Sequence, residues 1–184
     1  MSDITSLAVQ KVSKPKIEDV FPYYLEGETL KTALDFAAYL REIKIKPTWT
    51  LHNAWKGIYK GKVIYYIRLP LYKSHFEFKG LSDTNDWENS WTFTPYLHSL
   101  HNYQDKIYDQ ETQERILAGL WRCNPDCERG CAPPYDKVLF GKQVRLCYGS
   151  SHGGCATWFT NPNTVELEWI KKLLELEKQA RKNA

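Results

Sequence analysis

All five cysteines of this 184-residue chain fall within 33 consecutive positions, and this clustering constrains the fold more than any other feature of the sequence. They are Cys123, Cys127, Cys131, Cys147 and Cys155. From Cys123 to Pro134 the apolar residues are Ala132 and the prolines, so this segment has little to bury against a core. We therefore expect the C-terminal half of the chain to be ordered by chemistry at its sulfur atoms.

Structural zinc is the cofactor that this spacing favours. Such a site takes four thiolate or imidazole ligands in a tetrahedron, delivered from a loop and a hairpin. The predicted metal ligands are Cys123, Cys127, Cys131 and Cys147, with Cys155 and His152 as alternates. Metal binding contributes roughly ten kcal/mol or more to the folding of zinc-finger peptides.

Other chemistry at the cluster stays open. The thiols are alternatively unligated, or two of them form a disulfide or redox pair, although an odd count leaves one outside any pairing. An iron–sulfur cluster ranks below zinc because neither ferredoxin spacing is matched. His152, three residues from Cys155, would permit a reactive thiol, but no known Cys–His signature is present. We favour a non-enzymatic protein and keep a metal- or thiol-dependent enzyme as the alternative.

Length and composition are those of one globular domain. The chain is 42% hydrophobic and 26% charged, and we expect a single domain over 1–184, with a peripheral N-terminal segment at 1–26 and a Cys-rich subregion at 123–155. No apolar run reaches the length of a signal peptide or a membrane span. We expect a cytoplasmic protein that does not contact membranes, in keeping with clustered thiols that hold metal in a reducing compartment.

The pattern of apolar and turn residues predicts an α+β fold. Helices are expected over 28–43, from Thr94-Pro95 onward, after a cap at Asp109, and over 163–182. Hairpins are expected around Lys60-Gly61 and Gly141-Lys142, because Gly accepts the positive φ of a two-residue turn. The predicted architecture is a mostly antiparallel sheet with helices packed on one face.

The first hairpin carries the candidate ligand-binding face. The expected register pairs Trp55 with Tyr66 and Gly57 with Ile64, which directs one set of side chains to the core. That predicted core set is Ile58, Val63, Tyr65, Ile67 and Leu69, with Lys56 as its one misfit. The predicted ligand contacts on the opposite face are Trp55, Tyr59, Tyr66 and Arg68.

Charge around this hairpin suggests the partner. Residues 43–76 include seven Lys or Arg and no carboxylate. Lysines that protect a sheet edge, or a covered face with protruding Lys stems, would explain this pattern without a ligand. A surface for a small anionic or aromatic ligand, or for a protein partner, is the functional interpretation. A nucleic-acid-binding module is the alternative, since aromatic rings between basic residues stack bases.

The order of features resembles that of a group of small uncharacterised bacterial proteins. The shared layout is a helix like LDFAAYLREIKIKPTW, a hairpin like WKGIYKGKVIYYIRL, a Cys-rich loop, a segment like LFGKQVRLC, and a closing helix opened by NPNTVELEWIKKLLELEK. It spans residues 30–180, and the hairpin is also similar to the sheets of YdhG-like proteins. The resemblance implies the same α+β layout, and the group has no established activity to carry over to this chain. Where the group shares the cysteine run, it matches Cys123, Cys127, Cys131 and Cys147.

Overall fold

The computed structural model describes residues 4–70, 88–120, 122, 134–146 and 155–182. The α-helices in these ranges are α1 (Leu7–Ser13), α2 (Ile17–Val20), α3 (Gly27–Glu42), α4 (Gln110–Ala118) and α5 (Thr164–Lys182). The strands are β1 (Thr48–Leu51), β2 (Ala54–Tyr59), β3 (Lys62–Arg68), β4 (Thr92–Leu97), β5 (Tyr135–Leu139), β6 (Lys142–Leu146), β7 (Cys155–Ala156) and β8 (Phe159–Thr160). Short 3₁₀ turns occupy Phe21–Tyr23, Leu100–Asn102 and Gln104–Lys106.

The α+β class and the mostly antiparallel sheet are confirmed. Antiparallel pairing joins β1 to β2, β2 to β3, β4 to β7 and β5 to β6. The chain groups into two compact units, the first made of Met1–Phe93 with Thr160–Leu167 and the second of Thr94–Phe159 with Glu168–Ala184. The chain passes between them within β4, β8 and α5. A single folding domain remains a prediction.

The core of the first unit is aromatic. Helix α3 buries Ala33, Phe36, Ala37 and Leu40, the i, i+3, i+4, i+7 spacing of one helix face. The Phe36 ring meets that of Phe93 edge-on, with centroids 4.9 Å apart. Aromatic pairs in this geometry stabilise beyond the area that they bury.

The N-terminal segment is part of this core, which corrects its expected peripheral position. Ile17, Val20 and Phe21 have no exposed surface. Gln10 is also completely buried, and its side-chain amide donates to Asn53 Oδ1 at 2.7 Å, while its Oε1 accepts from the Asn53 N–H at 2.9 Å. Because both ends of the amide are satisfied, α1 is held against the turn between β1 and β2.

An ion pair lies beside the buried phenol of Tyr65. The Glu18 carboxylate binds the Arg41 guanidinium through both oxygens, one of them 2.7 Å from Nη2. Partial burial raises the pKa of Glu18, but the hydrogen bond and charge of Arg41 outweigh it, so the pKa is lowered overall. Burial raises the pKa of Tyr65 well above its usual range, and its hydroxyl donates to the Ile45 carbonyl at 2.5 Å.

Residues 92–97 form a strand where a helix starting at Thr94-Pro95 was predicted. All six residues of β4 are buried. Proline suits the first turn of a helix, but this preference is local and takes no account of what packs against the segment. The β-branched and aromatic residues Thr92, Phe93 and Thr94 pack well on a pleated surface with both faces covered. Tertiary burial therefore overrides the local preference at Pro95.

The two helices and the hairpin predicted after residue 108 are confirmed with small shifts. Asp109 caps α4, since its carboxylate accepts from the Thr112 N–H at 2.8 Å. The β5–β6 hairpin turns at Phe140 and Gly141, one residue earlier than expected. Helix α5 begins at Thr164, after the Asn163 side chain accepts from the Glu166 N–H at 2.9 Å.

A buried carboxylate organises the end of β4. Glu177 on α5 has no exposed surface and accepts from the Tyr103 hydroxyl at 2.9 Å and the Ser99 N–H at 3.1 Å. Arg181, one turn further on, donates Nε–H to it at 2.7 Å. Removal of any one of these partners would leave the buried carboxylate incompletely satisfied. We therefore assign Glu177 a structural role.

Candidate functional site

A β-bulge between β2 and β3 decides which hairpin side chains share a face. Near the turn, Ile58 pairs with Val63. The next pair is Gly57 with Tyr65, which leaves Ile64 as an extra residue on β3. Ile64 and Tyr65 are consecutive yet both fully buried, whereas regular alternation would bury only one of them. The register beyond this point differs by one residue from the predicted one.

Beyond the bulge, this shift turns the β2 side chains to the faces opposite to those predicted, while the β3 side chains from Tyr65 to Arg68 keep their predicted faces. Trp55 pairs with Ile67 and not, as predicted, with Tyr66. It has no exposed surface, and its indole N–H donates to the Pro15 carbonyl at 2.9 Å. Ile58, predicted to face the core, is 47% exposed. The structure thus places Trp55 in the core and Ile58 at the surface.

The outward face of the hairpin combines basic, aromatic and aliphatic side chains. We call it the basic face, defined by Lys56, Ile58, Val63, Tyr66 and Arg68. Lys56 lies directly opposite Tyr66, and Arg68 shares the face of Tyr66 because it follows two residues later on the same strand. The Arg68 guanidinium carbon lies over the Tyr66 ring, 5.1 Å from its centroid. All three side chains are half-buried, so each keeps some surface for a ligand.

Positive charge dominates this part of the chain. Residues 43–70 contain six Lys or Arg and no carboxylate. The ion pairs formed within the described ranges lie elsewhere, for example Glu18 with Arg41 and Glu177 with Arg181, and none of them includes Lys56 or Arg68. The charges of the basic face are therefore not neutralised by the described carboxylates.

Two of the four predicted ligand contacts meet on this face. Tyr66 and Arg68 lie together, whereas Tyr59 is half-buried on the side of the hairpin that also carries Trp55. Lys56 belongs to the face and was missed. A signal for it existed, because Lys56 was the one charged residue on the predicted core side, and a charge on a core face indicates an error of register.

The predicted metal ligands cannot be placed. Cys123, Cys127, Cys131, Cys147 and the alternate His152 lie outside the described residues. The backbone of Cys155 is described and pairs with Leu97 in β7. Among the residues that the structure describes, no three His, Cys, Asp or Glu side chains come together as a metal site. Zinc stays a prediction.

The second unit has a surface depression of about 340 Å³ beside the β5–β6 turn. Asp105 and the 83% exposed Tyr108 contribute to its walls. The amides of Gln104 and Gln113 also line it, but they already bond to the Phe140 N–H at 2.8 Å and the Ile107 carbonyl at 2.6 Å. With a carboxylate at its edge, this depression is a poorer place for an anion than the basic face.

Comparisons with protein-family models, with curated proteins and with solved structures found no match to this chain. In the described ranges, no helix combines the length and the apolar content that a membrane span requires. Function is therefore argued from the chemistry of the basic face.

Proposed function

We propose that the chain is a non-enzymatic binding module that holds an anionic ligand on the basic face. The observation that carries this proposal is the Arg68 guanidinium carbon 5.1 Å from the centroid of the Tyr66 ring, with Lys56 paired opposite Tyr66 on the neighbouring strand. The pair joins a planar donor group to a flat aromatic surface, next to a second positive charge.

Each member of the face has a separate part in this proposal. Arg presents a planar fork that binds phosphate or carboxylate through two parallel hydrogen bonds, and Lys adds a compact charge. The Tyr66 ring orients the guanidinium by cation–π attraction, which reduces the side-chain freedom lost on binding. Ile58 and Val63, paired across the strands, offer apolar surface beside these charges.

Charge reversal tests the face. Inorganic tripolyphosphate is the probe, and its affinity is measured by calorimetry while amide shifts locate its site. We expect Lys56→Glu and Arg68→Glu each to weaken binding at least tenfold, because each turns an attractive charge repulsive. The proposal is contradicted if tripolyphosphate does not bind the parent protein, or if it binds both variants as tightly as it binds the parent.

The β5–β6 hairpin offers a matched control. Lys137 there is also half-buried and lies over an aromatic ring, with Nζ 5.8 Å from the Tyr135 centroid. Lys137→Glu changes the net charge by the same amount and should leave the affinity within about twofold, at the same ionic strength. If it weakens binding as much as Arg68→Glu does, net charge and not the basic face determines affinity.

We further propose that a zinc ion held by Cys123, Cys127, Cys131 and Cys147, with Cys155 and His152 as alternates, stabilises the C-terminal half. The sequence clustering supports this, and so does an isolated β-bridge between Arg122 and Leu146, because each of these residues immediately precedes a proposed ligand. The zinc is structural in this proposal. A cytoplasmic location belongs to it, since a reducing compartment keeps thiols available to metal.

A further inference from the structure

We infer that the anionic ligand of the basic face is a single-stranded nucleic acid, an inference that rests on the proposed function. A stacked Arg–Tyr pair favours a ligand that has both a negative charge and a flat ring. Bases stack on aromatic rings and on guanidinium planes, while phosphates accept from Arg and Lys. Arg68 and Tyr66 offer the stacking surface, and Lys56 lies where a neighbouring phosphate would be held.

The distribution of charge favours a polymer over a mononucleotide. Basic residues occur at both ends of the hairpin, with Lys60 in its turn and Arg68 at the far end of β3. A six-residue strand is roughly 20 Å long at about 3.3 Å per residue. Lys46 precedes β1, whose Thr48 pairs with Lys56, so the basic residues also extend across neighbouring strands. An extended backbone with regularly spaced phosphates matches this distribution.

The form of the surface favours a single strand over a duplex. A sheet face is broad and does not enter the major groove as a helix or a two-stranded ribbon does. In a duplex the bases stack on one another, whereas a single strand leaves base faces available to Tyr66 and Arg68. An acidic peptide would satisfy the charges but would not use the ring.

The test compares polymers of matched charge on the full-length protein. The probes are the ten-nucleotide oligomers dT10 and rU10, an inorganic polyphosphate of ten phosphates, a duplex of ten base pairs and poly-glutamate, and affinities are measured by fluorescence anisotropy competition. We expect at least one of the two oligomers to bind about tenfold more tightly than the polyphosphate, because stacking adds to charge. The duplex and poly-glutamate should bind more weakly than that oligomer.

Substitution of the ring separates stacking from charge. Tyr66→Leu should weaken oligomer binding about tenfold and weaken polyphosphate binding much less, since only the orientation of Arg68 is lost there, whereas Tyr66→Phe should retain the oligomer affinity. Lys56→Gln should reduce the magnitude of the salt slope for the oligomer by about 0.7, the value for one phosphate contact to a single strand. Melting temperatures of all variants are recorded, and Tyr66→Phe keeps the test valid if Tyr66→Leu does not fold.

The possible failures are distinguishable. Equal affinity for oligomer and polyphosphate, with no effect of Tyr66→Leu on either, overturns the inference and leaves the anion-binding face in place. Poly-glutamate or duplex binding as tight as that of the oligomers also overturns it, and points to an acidic protein or to double-stranded nucleic acid. Absence of binding to every probe overturns both the inference and the proposed function.

Discussion

Gly57 shows how one residue determines which side chains of the first hairpin face the core. A Cβ at this position would lie 2.2 Å from a carbon of the Tyr65 ring, well inside contact distance. That ring cannot easily move, because its hydroxyl is bonded to the Ile45 carbonyl and its centroid lies 5.1 Å from that of the Phe93 ring. The absence of a side chain at 57 therefore makes room for the bulge that places Tyr65 inside and Tyr66 outside.

We predict that Gly57→Ala destabilises the protein by about 1–3 kcal/mol, the usual cost of overpacking a filled core. Urea denaturation measures it. Lys56→Ala, on the opposite face of the same strand, is the control and should change stability by no more than about 0.5 kcal/mol. In a double-mutant cycle with Tyr65→Ala, the cost of Gly57→Ala should largely disappear, because the clashing ring is gone. An unchanged unfolding midpoint in Gly57→Ala would show that the ring has room to shift.

At the scale of single elements, α4 depends on its first turn. Asp109 accepts from the Thr112 hydroxyl and from the Thr112 and Glu111 N–H groups, two of the backbone donors that a helix start leaves unpaired. The Thr112 hydroxyl and N–H lower the pKa of Asp109 most, and burial opposes them. The Glu111 N–H and the charge of Lys172 make smaller contributions that also lower the pKa. The helix start is therefore held better by the charged than by the neutral carboxyl.

The lowered pKa fixes the direction of the pH dependence. A carboxylate with a depressed folded pKa stabilises above its unfolded value, about 3.9 for Asp, and loses that stabilisation as pH falls through the folded value. We predict that Asp109→Ala lowers the melting temperature at pH 7, and that its difference from the parent protein shrinks below pH 4. Asp109→Asn keeps a capping side chain without the charge, so it should lose less at pH 7 than the Ala variant. A difference that is constant from pH 7 to pH 2.5 would contradict this role.

For the whole molecule, the proposed zinc links the cysteine cluster to the stability of the C-terminal half. Binding energy at a structural site contributes directly to folding. Cys127→Ser removes one of four proposed ligands, so we predict loss of about one zinc per chain by elemental analysis and a fall of well over 5 °C in melting temperature. The protein is purified without chelators or metal-affinity resin.

Cys155→Ser is the matched control for this prediction, since Cys155 is an alternate and not a primary ligand. It should retain the metal and most of the stability. Metal loss in Cys155→Ser but not in Cys127→Ser would make Cys155 the primary ligand and Cys127 the alternate. If the parent protein contains no zinc and Cys127→Ser leaves the melting temperature unchanged, zinc does not stabilise this fold.

Local sequence signals determined the elements whose shape depends on a few neighbouring residues. The Lys60-Gly61 turn, with both residues at positive φ, the cap at Asp109 and the long helix α5 all follow from such signals. The bulge at Ile64 and the strand at 92–97 were decided only by the tertiary structure. Register and strand formation depend on what packs against each face, and those neighbours are distant in sequence. The same reason explains why alternation along β3 placed Tyr66 and Arg68 on their observed face, while the position of Lys56 on that face depended on the bulge.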